Sequence, residues 1–105
     1  MDFTATARQL AALGHAHRLE LFYLLVRAGH DGMTVGEIHQ AMQRPTSTVT
    51  FHLRELVAAG LVSQERAGRS VRCRAEFAVL GAVLDDVRTA CCSNAPARRR
   101  KVARP

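Results

Sequence analysis

At 105 residues, with 48% hydrophobic side chains and a net charge of +6, the chain has room for one small domain and one modest core. No apolar run reaches the roughly 18 to 20 residues that cross a bilayer. The stretch Met1 to Ala12 lacks the basic-then-apolar order of a signal peptide. Three cysteines are too few for a secreted disulfide framework, so the reducing cytoplasm is the expected compartment and no membrane partner is expected.

The charge is unevenly spread. Residues 93–105 hold Arg98, Arg99, Arg100, Lys101 and Arg104 and no acid, a charge of +5, whereas residues 1–92 sum to +1. With Pro96 and Pro105 beside that basic run, 93–105 is expected to be a disordered tail, and 1–92 the folded domain. The tail would add nonspecific attraction to phosphate, or merely solubility.

Periodicity predicts a mainly helical chain. Phe3 to Leu13 forms a first helix with Leu10 and Leu13 on one side. After Gly14-His15-Ala16-His17, the spacing of Leu19, Leu21, Phe22, Leu24, Leu25 and Val26 fits a helix buried on most of its surface. Gly29-His30-Asp31-Gly32 ends it in a turn. Thr34 and Glu37 have the spacing of a capping box, and Val35, Ile38 and Met42 line the helix that follows. Gln43-Arg44-Pro45 breaks that helix. A fourth starts near Pro45 or Thr46 and runs to Ala59, with Gly60 as its C-terminal signal. Its apolar face is Val49, Leu53, Leu56 and Val57; the other face shows Ser47, Thr48, Thr50, Phe51 and Arg54.

Leu61 to Arg66 and Val71 to Ala75 then alternate as the arms of a β-hairpin around Ala67-Gly68-Arg69-Ser70. Val71 and Cys73 share one strand face, Arg72 and Arg74 the other. A last helix runs from Glu76 to about Ala90, and Phe77, Leu80, Leu84, Val87 and Cys91 form a 3,4,3,4 seam. The fold class is therefore mainly α with a small β-hairpin, a dimeric winged helix-turn-helix.

Three stretches in this order carry a family likeness: Leu13-Gly14-His15-Ala16-His17-Arg18-Leu19, Ser47-Thr48-Val49-Thr50-Phe51-His52-Leu53, and Leu56-Val57-Ala58-Ala59-Gly60-Leu61-Val62. Over roughly residues 8 to 92 the chain resembles the ArsR/SmtB family of winged-helix, metal-responsive repressors. The resemblance implies a homodimer built from the first and last helices that binds double-stranded operator DNA and releases it when an inducer binds. Leu10, Phe77, Leu80, Leu84 and Val87 are the expected dimer residues.

DNA binding also follows from the residues. A helix-turn-helix lays its second helix in the major groove, N-terminal residues first. Thr46, Ser47, Thr48, Thr50 and Phe51 occupy those turns, where hydroxyls meet base edges or phosphates and apolar groups meet thymine methyls. Arg54, Arg69, Arg72 and Arg74 suit phosphates or the minor groove.

The inducer site falls on Cys91 and Cys92. Adjacent thiols close a chelate on one soft ion. The cysteine box that some relatives carry before the recognition helix is Thr34-Val35-Gly36-Glu37-Ile38 here, without sulfur. The last helix has Asp85 and Asp86 but no histidine, so a zinc site there is incomplete. The pair resembles that of relatives sensing trivalent arsenic or antimony, though a third cysteine common a few residues later is missing. Arsenite prefers three sulfurs; a methylated or aryl arsenical needs two. Cys73 of the partner subunit is the candidate third ligand, against the plainer reading that Cys73 faces the core. Arsenite, methylarsenite or antimonite is thus the expected inducer, and no cofactor is obligatory. The five histidines, at 15, 17, 30, 39 and 52, are read as structural. The alternative is a thiol-redox or persulfide-sensing repressor, although adjacent cysteines oxidise to a strained ring. No catalytic residue is expected: neither a base near the thiols nor a Gly-rich anion loop is present.

Overall fold

A computed structural model describes residues 2–94. The first helix, α1 (Phe3–Leu13), starts where the Asp2 carboxylate accepts from the Thr4 and Ala5 N–H groups. The second, α2 (Ala16–Ala28), stops at Gly29, and a 3-10 turn (Gly29–Asp31) leads to Gly32. Gly32 has φ +65°, and a Cβ there would run into the Cys73 carbonyl, so the position accepts only glycine without rearrangement. This close approach sets the 3-10 turn against the sheet.

Thr34 and Glu37 make the expected capping box on α3 (Val35–Met42): the Glu37 N–H donates to the Thr34 hydroxyl at 3.1 Å and the Thr34 N–H to the Glu37 carboxylate at 2.9 Å. The fourth helix, α4, spans Thr46–Ala58. Its end is a Schellman motif: the Leu61 N–H donates to the Leu56 carbonyl and the Gly60 N–H to that of Val57, with Gly60 at φ +79°.

The sheet has one strand more than the hairpin read from the sequence. β1 (Met33–Thr34) pairs antiparallel with β3 (Ser70–Ala75), whose other edge pairs with β2 (Val62–Ala67), giving the order β1-β3-β2. Two residues cannot show an alternating pattern, so β1 left no trace in periodicity. The β2–β3 register runs from Val62 opposite Ala75 to Ala67 opposite Ser70. That leaves a two-residue turn with Gly68, at φ +64°, in the first central place, as a type II′ hairpin needs.

Leu21, Phe22 and Leu25 of α2 meet Ile38 of α3, Val49, Leu53 and Leu56 of α4, and Leu61 and Cys73 of the wing in one core. A fully buried side chain of this kind contributes about 1.5 to 3 kcal/mol. Two expectations change here. Helix α2 is not buried on most of its surface: Leu19 and Tyr23 are 40% and 55% exposed, because the core covers only one side. The seam of α5 (Phe77–Ala90) also divides. Phe77, Val79 and Leu80 pack on the core and Val83 is buried, but from Leu84 to Asn94 every residue is exposed. The domain ends beneath the second turn of α5, and among the described residues the rest of the helix stays exposed. Cys91 to Asn94 form a turn after α5, so the described chain runs past the expected start of the tail; residues 95–105 lie outside the described residues. Among the described residues no helix is long and apolar enough to cross a membrane.

Candidate DNA interface and ligand sites

Helix α4 begins after Pro45 with no side-chain cap, leaving its first N–H groups for an outside acceptor such as phosphate. Val49, His52, Leu53 and Leu56 turn inward. Ser47, Phe51 and Arg54, at helical spacing, form an exposed stripe on the other side, with Phe51 half exposed. Thr46 is exposed on the first turn, while Thr48 and Thr50 are half-buried. Thr50 lines a shallow cavity with Val35, Arg54 and Gln64, between the recognition helix and the wing.

The four arginines expected at DNA fall into two classes. Arg54 and Arg69 are exposed, Arg69 at the tip of the wing. Arg72 and Arg74 are half-buried and already engaged. Arg72 donates to the Asp31 carbonyl at 2.9 Å, and Arg74 donates to the His30 carbonyl at 2.8 Å and to Glu65 at 2.7 Å. Their shared strand face thus fastens the wing to the 3-10 turn.

Packing of α2 on α4 creates a cluster that spacing did not reveal. His15 caps α2, its Nδ1 accepting from the His17 N–H at 3.2 Å. His52 projects inward from α4, so that His15, His17 and His52 each offer a nitrogen within 4.8 Å of the others. The His15 and His52 ring centroids are 4.6 Å apart. Arg18 holds this corner, with Nε donating to the Ala12 carbonyl at 2.6 Å and NH1 3.3 Å from His52 Nδ1. Burial pushes the His52 pKa below the usual imidazole range, and the nearby His15, Arg18, His17 and Arg44 charges push it the same way. The only sequence signal was the His15-x-His17 pair at a helix start; that His52 meets it depends on the α2–α4 packing.

The cysteines separate by environment. Cys73 is fully buried on β3 opposite Gln64, whose side-chain amide donates to its Sγ at 3.5 Å. Burial raises its thiol pKa, and the Gln64 bond offsets part of the rise. Cys91 and Cys92 are exposed at the end of α5, with their sulfurs 3.6 Å apart and Cys92 in the left-handed region at φ +64°. Two thiolates each about 2.3 Å from one metal ion lie within roughly 4.6 Å of each other, so this spacing suits a shared centre. Cys73 therefore faces the core of its own chain.

Helix α4, following α3 across a short turn and exposing one face, together with a wing that carries an exposed arginine at its tip, defines a winged helix-turn-helix. Residues 13–65 match a family model described as "Helix-turn-helix domain", and the chain belongs to that family. No curated protein matches the chain. Among solved structures, HlyU from Vibrio cholerae is 23% identical with a TM-score of 0.65, the match covering 86% of this chain and 97% of that one. An ArsR-like transcriptional regulator from Rhodococcus sp. RHA1 is 25% identical with a TM-score of 0.65 over 90% of this chain and 96% of its own. The homodimeric winged helix-turn-helix DNA-binding domain of Mb0332 from Mycobacterium bovis, a possible ArsR-family regulator, is 26% identical with a TM-score of 0.64 over 81% and 82%. These neighbours support the ArsR/SmtB family of winged-helix DNA-binding regulators.

Proposed function

We propose that the chain is a homodimeric transcriptional repressor that leaves its operator when a trivalent arsenical or antimonial binds Cys91 and Cys92. The observation carrying this reading is the exposed thiol pair, 3.6 Å between sulfurs, at the end of a helix that projects past its own domain. Leu10, Leu84 and Val87 are 47%, 54% and 57% exposed, an apolar surface on the first and last helices that a second copy would cover. The homodimeric Mycobacterium bovis neighbour supports the same assembly. In a dimer, α5 would couple the thiol pair to the distance between recognition helices. Operator half-sites about 34 Å apart tolerate little change in that distance.

Ligation exchanges two oxygens on the trivalent centre for the two sulfurs. The thiol proton leaves with the displaced hydroxide as water, and arsenic or antimony keeps its oxidation state. Two sulfurs satisfy an organoarsenical, whose third bond is already to carbon. With Cys73 buried, the chain's third sulfur is out of reach, which favours methylated or aryl arsenicals over arsenite. The inducer acts only through its differential affinity for the free and DNA-bound states, so operator DNA weakens inducer binding by the same factor.

The test is release of operator DNA by arsenite, antimonite, methylarsenite, zinc and peroxide, followed by fluorescence anisotropy. Release by the trivalent arsenicals or antimonite at stoichiometric concentration supports the reading. Release by peroxide alone transfers the role to thiol oxidation.

A further inference from the structure

We propose that His15, His17 and His52 form a binding site for a divalent late transition-metal ion of the zinc, nickel and copper series, joining the start of α2 to the recognition helix. The site is separate from the thiol pair and does not depend on the inducer reading. Three imidazoles are a ligand set for this class of ion, whereas calcium and magnesium take oxygen. The three nitrogens already lie within 4.8 Å of one another. Zinc bonds of about 2.0 to 2.1 Å bring tetrahedral ligands to roughly 3.4 Å, so closure needs ring movement on the order of 1 Å. His15 is exposed and His17 half-buried, so both rings have room to move, while His52 is held in the core. The exposed side leaves a fourth position for water, as in three-histidine zinc sites.

Metal ligation requires the neutral form of an imidazole. Ligation does exchange two existing contacts. His15 Nδ1 accepts the His17 N–H, and His52 Nδ1 faces Arg18. Metal on Nδ1 displaces those donors, and metal on Nε2 moves the ring proton to Nδ1 and repels them. Either way, binding releases Arg18 from His52 while Arg18 Nε keeps the Ala12 carbonyl. The consequence is a direct metal link between α4, which carries Ser47 and Phe51, and the first turn of α2.

The experiment uses the full chain carrying Cys91→Ser and Cys92→Ser, so that thiolates do not bind the probe. Zinc is titrated in competition with a chromophoric chelator, and cobalt is added for its visible spectrum. The proposal expects one zinc per chain, a cobalt spectrum of nitrogen and oxygen coordination without sulfur charge-transfer bands, and shifted His52 ring signals by NMR. His17→Gln and His15→Asn should each weaken zinc at least about tenfold. Asn keeps a capping acceptor for α2, so an unchanged melting curve in that variant separates ligand loss from unfolding. Absence of stoichiometric zinc uptake, or zinc affinity in both histidine variants unchanged from that of the parent chain, overturns the site. So does a His17→Gln variant that keeps zinc but loses salt dependence in DNA binding, which would make the cluster a phosphate contact.

Discussion

The thiol pair and the histidine triad are both compact sets of soft or borderline donors, yet the chain builds them in opposite ways. Cys91 and Cys92 are neighbours in sequence, exposed, and lie where α5 has left the domain. His15, His17 and His52 are brought together across 35 residues by the packing of α2 on α4, with His52 buried. The first set is made by adjacency at an exposed helix end, where a second subunit could reach it. The second exists only while the core is intact, so it reports on the recognition helix itself. The same division separates Arg69, exposed at the wing tip, from Arg74, held by Glu65 and the His30 carbonyl.

Disrupting the packed region should have the largest effect. Gly32→Ala forces a side chain into the left-handed region and into the Cys73 carbonyl, and should cost about 3 kcal/mol or more in denaturant unfolding. A loss below about 1 kcal/mol would mean that the turn can shift off the sheet.

Next is the exposed end of α5. Leu84→Glu should weaken dimerisation by about 2 kcal/mol or more, as for a central interface anchor, and lower DNA affinity with it. Sedimentation reads the first and anisotropy the second. A wild-type chain that stays monomeric at micromolar concentration contradicts the assembly.

The arginine contrast is sharper in kind than in size. Arg69→Ala should reduce the slope of log affinity against log salt by about one and leave stability unchanged. Arg74→Ala should lower stability by roughly 1 kcal/mol through loss of its carbonyl bond with little change in slope. Equal slopes in both variants would erase the distinction between a contacting and a fastening arginine.

The smallest effect is a pH dependence. Because the folded-state pKa of His52 is lowered, the unfolded chain takes up the proton first. Stability is therefore full above the unfolded value and falls as pH drops through about 6.5. His52→Gln should flatten that part of the stability profile, measured by urea unfolding between pH 8 and pH 5. A profile identical to wild type would remove His52 from the account.

Much of this was legible in the sequence where a local pattern carries it. The Thr34 and Glu37 box, the Gly60 end of α4, the Gly68 turn and the bounds of α1 each follow from a few neighbouring residues. Cys91-Cys92 was legible for the same reason. What did not show depends on contacts between distant segments. β1 is too short for periodicity, the α5 seam looked continuous because the sequence does not mark where the domain beneath it stops, and the bonds of Arg72 and Arg74 to the 3-10 turn join segments far apart in sequence. His52 was visible within its motif but not its meeting with His15 and His17.

The account rests on the thiol pair acting on DNA binding, and one measurement reaches it most directly: operator affinity of the wild-type chain and of the Cys91→Ser, Cys92→Ser variant, with and without a stoichiometric trivalent organoarsenical. The account predicts equal affinities without inducer, and release of the wild type alone when it is added. A double variant that still leaves the operator, or a wild type that holds it with arsenic bound, contradicts the claim.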